Sequence, residues 1–140
     1  MLNGGAQIGQ VFLDKIGIKN GYTIVDGSGL SLMNRISPHT MTDVLQYAFQ
    51  NKDVGLDFVT SLPVAGVDGT LKRRFKESEL KGRIVAKTGY LNNVRALSGY
   101  VFTQKGDVLV FSILSNGLGY EVKKFQSDLM EELVDCCESL

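Results

Sequence analysis

The chain has 140 residues, of which 44% are hydrophobic and 21% charged, and its 15 basic and 15 acidic side chains give a formal net charge of zero. That is the size of one globular domain or a fragment of one. The balanced charge argues against a general binder of nucleic acid or of anionic membrane, because phosphate binding needs net or clustered positive charge.

Residues 6 to 16 read as a helix, with Ile8, Val11, Phe12 and Ile16 at helical spacing and Gly17 as a stop. The start, Met1-Leu2-Asn3-Gly4-Gly5, has neither the basic residues nor the apolar run of a secretory signal. Asn20-Gly21 marks a turn, Tyr22 to Val25 a short strand, and Asp26-Gly27-Ser28-Gly29 a tight loop. Ser37-Pro38 is a helix start, Ser37 as N-cap and Pro38 at the first helical position. The helix continues through an apolar stripe of Met41, Val44, Leu45, Ala48 and Phe49. Leu56 to Leu62 is a shorter helical segment that ends at Pro63, and Val64 to Thr70 holds two turn-prone pairs, Ala65-Gly66 and Asp68-Gly69. Lys72-Arg73-Arg74 with Lys76 is the densest basic run; Glu77 and Glu79 follow it, which suits a solvated turn.

Three strands come next: Arg83 to Thr88, Arg95 to Thr103, and Val108 to Leu114, the last two joined by a hairpin turn at Gln104-Lys105-Gly106-Asp107. Val108 to Leu114 is the longest apolar run, short for a membrane span and apolar enough to suggest a central strand buried on both faces. The last helix is expected from about Glu121 to Cys137, with Val122, Phe125, Leu129, Leu133 and Cys136 on its apolar face. Adjacent helical side chains diverge, so Cys136 and Cys137 do not suit a mutual disulfide. One histidine in the chain argues against a Cys/His zinc site, and no metal or cofactor is implied. Three antiparallel strands with a long helix across one face make a stable α+β layer pairing. Phe12, Phe49, Phe58 and Phe111 are core candidates, and Asp68 with Arg73 or Arg74 is a candidate ion pair.

The stretch with the most chemistry is Gly82 to Gly89, a strand that ends in Lys87-Thr88-Gly89. A cation, a hydroxyl and a bare backbone in sequence form a small clamp for an anion and a carbonyl. Lys-Thr-Gly is also one of the three signatures of the penicillin-recognising serine acyl enzymes. Other motifs stand around it in order: Asp26-Gly27-Ser28-Gly29-Leu30-Ser31, Asn34, Ile36-Ser37-Pro38, the run Leu62 to Leu71, and Ala96-Leu97-Ser98-Gly99-Tyr100-Val101. Together they resemble the D-alanyl-D-alanine carboxypeptidase/endopeptidase penicillin-binding proteins of the low-molecular-mass class C type, from about Gly21 to Asn116.

The resemblance implies the β-lactamase/transpeptidase-like fold, in which a five-stranded antiparallel sheet lies between helices. It implies a serine that attacks the D-Ala-D-Ala bond of peptidoglycan, an acyl-enzyme released by water, and acylation by β-lactams. It gives Lys87 a positive charge toward the substrate carboxylate and the proton-relay serine. Thr88 becomes a hydrogen-bond donor to that carboxylate, Gly89 a gap for ligand, and the Tyr90 N–H an oxyanion donor. Asn92 is placed near the same subsite. The nucleophile motif Ser-x-x-Lys occurs only as Ser78-Glu79-Leu80-Lys81, in a charged turn too close to the Lys87 strand to face it across a cleft, and Ser-x-Asn does not occur. Tyr90-Leu91-Asn92 matches a Tyr-x-Asn variant but overlaps the triplet. In the family both missing motifs precede the matched region, so residues 1–140 are expected to be the C-terminal portion of one incomplete domain, inactive alone. Tyr90 stands where the resemblance implies a small hydroxyl residue and Leu32 where it implies an arginine, so the side-chain contacts at those two positions are expected to differ from the family's.

The resemblance also implies an extracytoplasmic parent protein and substrate peptides that end in D-Ala-D-Ala. The alternatives are a serine β-lactamase or esterase of the same fold, disfavoured by the segments around Asp26 and Leu62, and a non-catalytic peptidoglycan- or partner-binding module. His39 reads as a surface or capping residue. Asp26, Ser28 and His39 lack the Gly-x-Ser-x-Gly elbow of a hydrolase triad, and Gly-Lys, needed for a Walker loop, never occurs. With only three of five strands, the isolated chain is expected to expose an apolar face or to self-associate.

Overall fold

The computed structural model describes residues 4–76, 79–117 and 121–136. Helix α1 (Gly4–Lys15) is followed by two short strands, β1 (Tyr22–Thr23) and β2 (Arg35–Ile36), which pair antiparallel. The loop between them is built on Asp26, whose carboxylate accepts from the N–H groups of Gly29 and Ser31, both at 2.8 Å, and from the Asn34 amide at 3.0 Å. Asn34 in turn accepts from the Val25 N–H at 2.8 Å. These bonds, the one from Asn34 foremost, hold the Asp26 carboxyl below its usual range. Asp26 therefore shapes the loop. The β2 partner strand was not foreseen, because two exposed residues carry no alternation to read.

Helix α2 (Pro38–Gln50) starts as the sequence predicts: Ser37 is extended, and its Oγ accepts from the Thr40 N–H at 3.0 Å. Helix α3 (Gly55–Ser61) follows, then a single 3₁₀ turn at Gly69–Leu71. Strands β3 (Ile84–Leu91), β4 (Val94–Phe102) and β5 (Val108–Asn116) form an antiparallel sheet in the order β3-β4-β5. Helix α4 (Glu121–Asp135) covers one face of this sheet. Cys137 lies outside the described residues, and Cys136 is exposed.

The centre of the sheet is β4, and β5 pairs with β4 alone among the described residues. The expectation of a central Val108–Leu114 strand is corrected accordingly. Only Phe111 is fully buried on β5, the other residues of its apolar run being half-buried. Side-chain alternation divides the sheet into two faces. Ile84, Ala86, Leu97, Val101 and Phe111 pack with Met130 and Val134 of α4, and with Ala65, Leu71 and Leu80. Val85 and Tyr100 are buried on the other face, where the Tyr100 hydroxyl donates to the Leu45 carbonyl of α2 at 2.7 Å. Gly99 faces the α4 layer opposite Ala86, and a Cβ there would lie 2.6 Å from the Ala86 Cα. The strands approach too closely for any other residue.

Four further expectations are corrected. On α4 the buried line is Gln126–Met130–Val134; Leu129 and Leu133 of the expected stripe are half-buried and pack against the core beside it, while Phe125 is 56% exposed and Cys136 is exposed. The helix is turned by about one residue from its apparent stripe, because Gln126 is drawn in by Arg74. Asp68 makes no ion pair with Arg73 or Arg74; its carboxylate caps the turn by accepting from the Val64 N–H at 2.7 Å. On α1 the buried residues are Ala6 and Leu13, and Ile8 and Val11 point outward. Of the four phenylalanines proposed for the core, Phe111 alone is buried; Phe58 is half-buried, and Phe12 and Phe49 are partly exposed.

Candidate active site

Strand β3 runs three residues beyond the triplet's Lys87-Thr88, to Leu91, and turns at Asn92-Asn93 into β4. Leu91 pairs with Val94, so the turn is a two-residue hairpin loop with Asn93 left-handed at φ 60°. An asparagine tolerates that backbone better than most side chains. The loop length fixes the register, and the register sets the site: Lys87 lies opposite Ser98, Thr88 opposite Leu97, Gly89 opposite Ala96 and Tyr90 opposite Arg95.

The outer edge of β3 is covered at its start and open at its end. Ala65 N–H donates to the Ile84 carbonyl and Ala86 N–H to the Pro63 carbonyl, each at 2.9 Å. In an antiparallel strand the N–H and C=O of one residue share a side, and the side alternates. Ile84, Ala86, Thr88 and Tyr90 thus all present their backbone to the outer edge. The segment at Pro63–Ala65 uses the first two, and Thr88 and Tyr90 continue the row with no partner strand among the described residues. Such an edge accepts an extended peptide.

The side chains at this edge are polar. The Lys87 ammonium curls back to donate to the Thr88 carbonyl at 2.6 Å and keeps two further donor hydrogens. The Thr88 hydroxyl donates to the Thr70 hydroxyl at 2.9 Å, which ties the edge to the 3₁₀ turn. Gly89 has only Ala96 behind it, at 3.1 Å from a built Cβ. The Tyr90 ring is 71% exposed and lies under the Arg95 guanidinium, 4.5 Å from its centroid. Lys87, Thr88, Gly89 and Tyr90 are therefore brought together, whereas Asn92 stands at the exposed hairpin tip. His39 pairs with Asp43 at 3.6 Å on the surface of α2, away from Asp26. Ser78 lies outside the described residues.

A cavity of about 430 Å³ opens beside the same edge. Thr88, Gly89 and Tyr90 form one wall, and Arg74, Arg95, Lys123 and Gln126 form much of the rest. Burial holds the Arg74 pKa below the usual guanidinium range. Sequence reasoning missed these four residues. Arg95 was within reach of it, since a two-residue loop at Asn92-Asn93 implies that Tyr90 faces Arg95; Arg74 and Gln126 are 52 positions apart and left no local signal.

The profile of the D-Ala-D-Ala carboxypeptidase 3 (S13) family matches residues 2–136. The chain belongs to that family. It is similar to the D-alanyl-D-alanine carboxypeptidase DacB of Haemophilus influenzae, 40% identical over 108 residues, which are 75% of this chain and 22% of that protein. It is 41% identical over 102 residues to the D-alanyl-D-alanine carboxypeptidase of an Actinomadura species, covering 69% of this chain and 19% of the relative. Among solved structures, penicillin-binding protein 4 of H. influenzae superposes with a TM-score of 0.81 at 34% identity, over 89% of this chain and 30% of that one. The same protein complexed with a novel β-lactam gives 0.83 at 33%, over 92% and 32%. The S13 chain described here thus spans about a fifth of these curated relatives and about a third of the solved ones, with the α+β fold that the resemblance implies. No helix among the described residues is long and apolar enough to cross a membrane.

Proposed function

We propose that this chain is the C-terminal portion of a penicillin-binding, transpeptidase-like domain and supplies the Lys-Thr-Gly wall of a serine D-Ala-D-Ala carboxypeptidase/endopeptidase. The observation that carries the reading is the open outer edge of β3 past Ala86. There a lysine head, a threonine hydroxyl and an outward N–H at Tyr90 stand within three successive positions of Lys87. In this reading a stem peptide ending in D-Ala-D-Ala lies along the edge as an added strand. Its terminal carboxylate takes hydrogen bonds from Lys87 and Thr88, displacing the internal contacts to the Thr88 carbonyl and the Thr70 hydroxyl. The scissile carbonyl points to the Tyr90 N–H, where charge develops as the serine attacks. A β-lactam, with carboxylate and carbonyl similarly spaced, takes the same seat. Gly89 keeps the approach open. The parent protein works outside the cytoplasmic membrane, where that substrate is found.

The nucleophile and its base belong to segments absent from the sequence, since the only Ser-x-x-Lys is the one at Ser78. The 140-residue chain incubated with a fluorescent penicillin should show no covalent adduct on a denaturing gel. A labelled band would overturn the missing nucleophile. In the protein that carries Ser-x-x-Lys and Ser-x-Asn as well, Lys87→Ala should slow acylation by about 10²–10³, the scale for removing one preorganised donor. An unchanged acylation rate would refute the wall.

A further inference from the structure

The edge of β3 is braced by a single segment, residues 63–71. Its start pairs with the covered part of the edge: Val64 bridges Val85, and the Pro63 carbonyl accepts from the Ala86 N–H. The segment then leaves the edge in the turn that Asp68 caps, and comes back as the 3₁₀ turn Gly69–Leu71. Leu71 is fully buried in the core under α4, and its carbonyl accepts from the N–H groups of Gly66 at 3.1 Å and Arg74 at 2.9 Å. Thr70 is held between these anchors, on the α4 face to which strand alternation also sends the Thr88 side chain. The Thr70 hydroxyl accepts from Thr88 at 2.9 Å and donates to no group among the described residues.

A bond between two hydroxyls can run either way, because each oxygen both donates and accepts. We propose that Thr70 is a positioning residue for Thr88. While the edge is empty it holds the Thr88 hydroxyl in one rotamer. When a ligand carboxylate takes the Thr88 hydrogen, the bond reverses, and Thr70 donates its own hydrogen to Thr88 Oγ1. This role rests on the D,D-peptidase reading, which gives Thr88 its carboxylate, and adds to it a residue outside the Lys-Thr-Gly triplet. A threonine without such a partner has staggered rotamers to choose from, and ordering one of them opposes ligand binding. Here the fold has already ordered it. A hydroxyl that accepts one hydrogen bond also donates a stronger one, so the reversed pair tightens the contact with the carboxylate. Asp68 and Leu71 fix the turn on either side of Thr70, so the reversal needs hydroxyl rotation and no movement of the backbone. The run Leu62–Leu71 thereby acquires a part in the chemistry of the edge.

The test joins a spectroscopic measurement to a kinetic one. In the 140-residue chain, three-bond couplings to the Thr88 methyl carbon should report a single rotamer, averaged in Thr70→Val and single again in Thr70→Ser. An averaged rotamer in the wild type, or a single one kept in Thr70→Val, would overturn the brace. In the protein that also carries Ser-x-x-Lys and Ser-x-Asn, acylation is compared for a β-lactam with a free carboxylate and for its methyl ester. Thr70→Val should slow the free acid about fivefold, the scale of one neutral hydrogen bond, and leave the ester unchanged. Thr70→Ser, which keeps the hydroxyl, should match the wild type on both. A Thr70→Val protein that loses nothing on the free acid, or that slows equally on acid and ester, would overturn the positioning role; in the second case the turn only supports the fold of the edge. Lys87→Ala on the same pair of β-lactams keeps the two readings apart. A slow Lys87→Ala beside an unaffected Thr70→Val removes Thr70 and leaves the Lys-Thr-Gly wall, whereas an unaffected Lys87→Ala removes the wall and the part of Thr70 with it.

Discussion

Tyr100 joins the two layers of the molecule at the level of one residue. Its side chain is fully buried, its ring lies 5.3 Å from that of Phe49, and its hydroxyl donates to Leu45. Burial raises the phenol pKa from 10.0 to about 12. A phenol with a raised folded pKa holds its proton more tightly in the folded state. Its contribution is thus complete below about pH 10 and is lost as pH climbs from there to about 12. The melting temperature should fall more steeply across that window in the wild type than in Tyr100→Phe. Tyr22, raised by its own burial and by Asp14, titrates in both proteins and cancels. At neutral pH, Tyr100→Phe should cost about 1 kcal/mol through the lost hydrogen bond. Parallel alkaline melting curves would show that the Tyr100 hydroxyl does not couple the sheet to α2.

At the scale of elements, the β3–β4 hairpin decides where the chemistry stands. A slip of one residue would send Lys87 to the α4 face and Thr88 to the α2 face. The turn that prevents this slip depends on Asn93 at φ 60°. Asn93→Gly should keep or slightly raise stability in chemical denaturation, since glycine takes that backbone without strain. Asn93→Val should cost about 1–2 kcal/mol, the penalty of a left-handed backbone for a side chain with a Cβ. Equal losses for the two would move the cause from backbone to a side-chain contact. What the sequence made legible has the same physical basis. The strands, the Ser37 cap and the Lys87-Thr88-Gly89 edge rest on local signals: alternation, a cap residue, a motif. The rotation of α4 and the cation-lined cavity rest on Gln126 meeting Arg74. A buried amide breaks the apolar stripe instead of extending it, so hydrophobic periodicity pointed to Phe125. The rank of β5 was lost for a related reason, since an apolar run shows how much surface wants cover and not which strand provides it.

At the scale of the whole molecule, apolar surface remains where the described layers end. Helix α1 docks through Ala6 and Leu13 and turns Ile8 and Val11 outward, 73% and 67% exposed, beside Phe12. These three line one shallow groove along the helix. Phe12 sets its ring edge against Tyr47 of α2, 5.8 Å between centroids, while Ile8 and Val11 stay exposed, so their cover comes from another surface, and at high concentration that surface is a second copy of this chain. Sedimentation of the 140-residue chain should accordingly show association that grows with concentration. Ile8→Lys with Val11→Lys places two charges in the groove, at helix positions three apart and so on one side. The double variant should sediment as a monomer while its far-ultraviolet circular dichroism matches the wild type. Association that persists in the variant would move the sticky surface to an open sheet edge, that of β5 or that of β3 past Ala86, neither of which has a partner strand among the described residues. A wild type that stays monomeric at every concentration would show that the α1 groove is too shallow to hold a copy of the chain, since separate apolar side chains on a surface are tolerated in water.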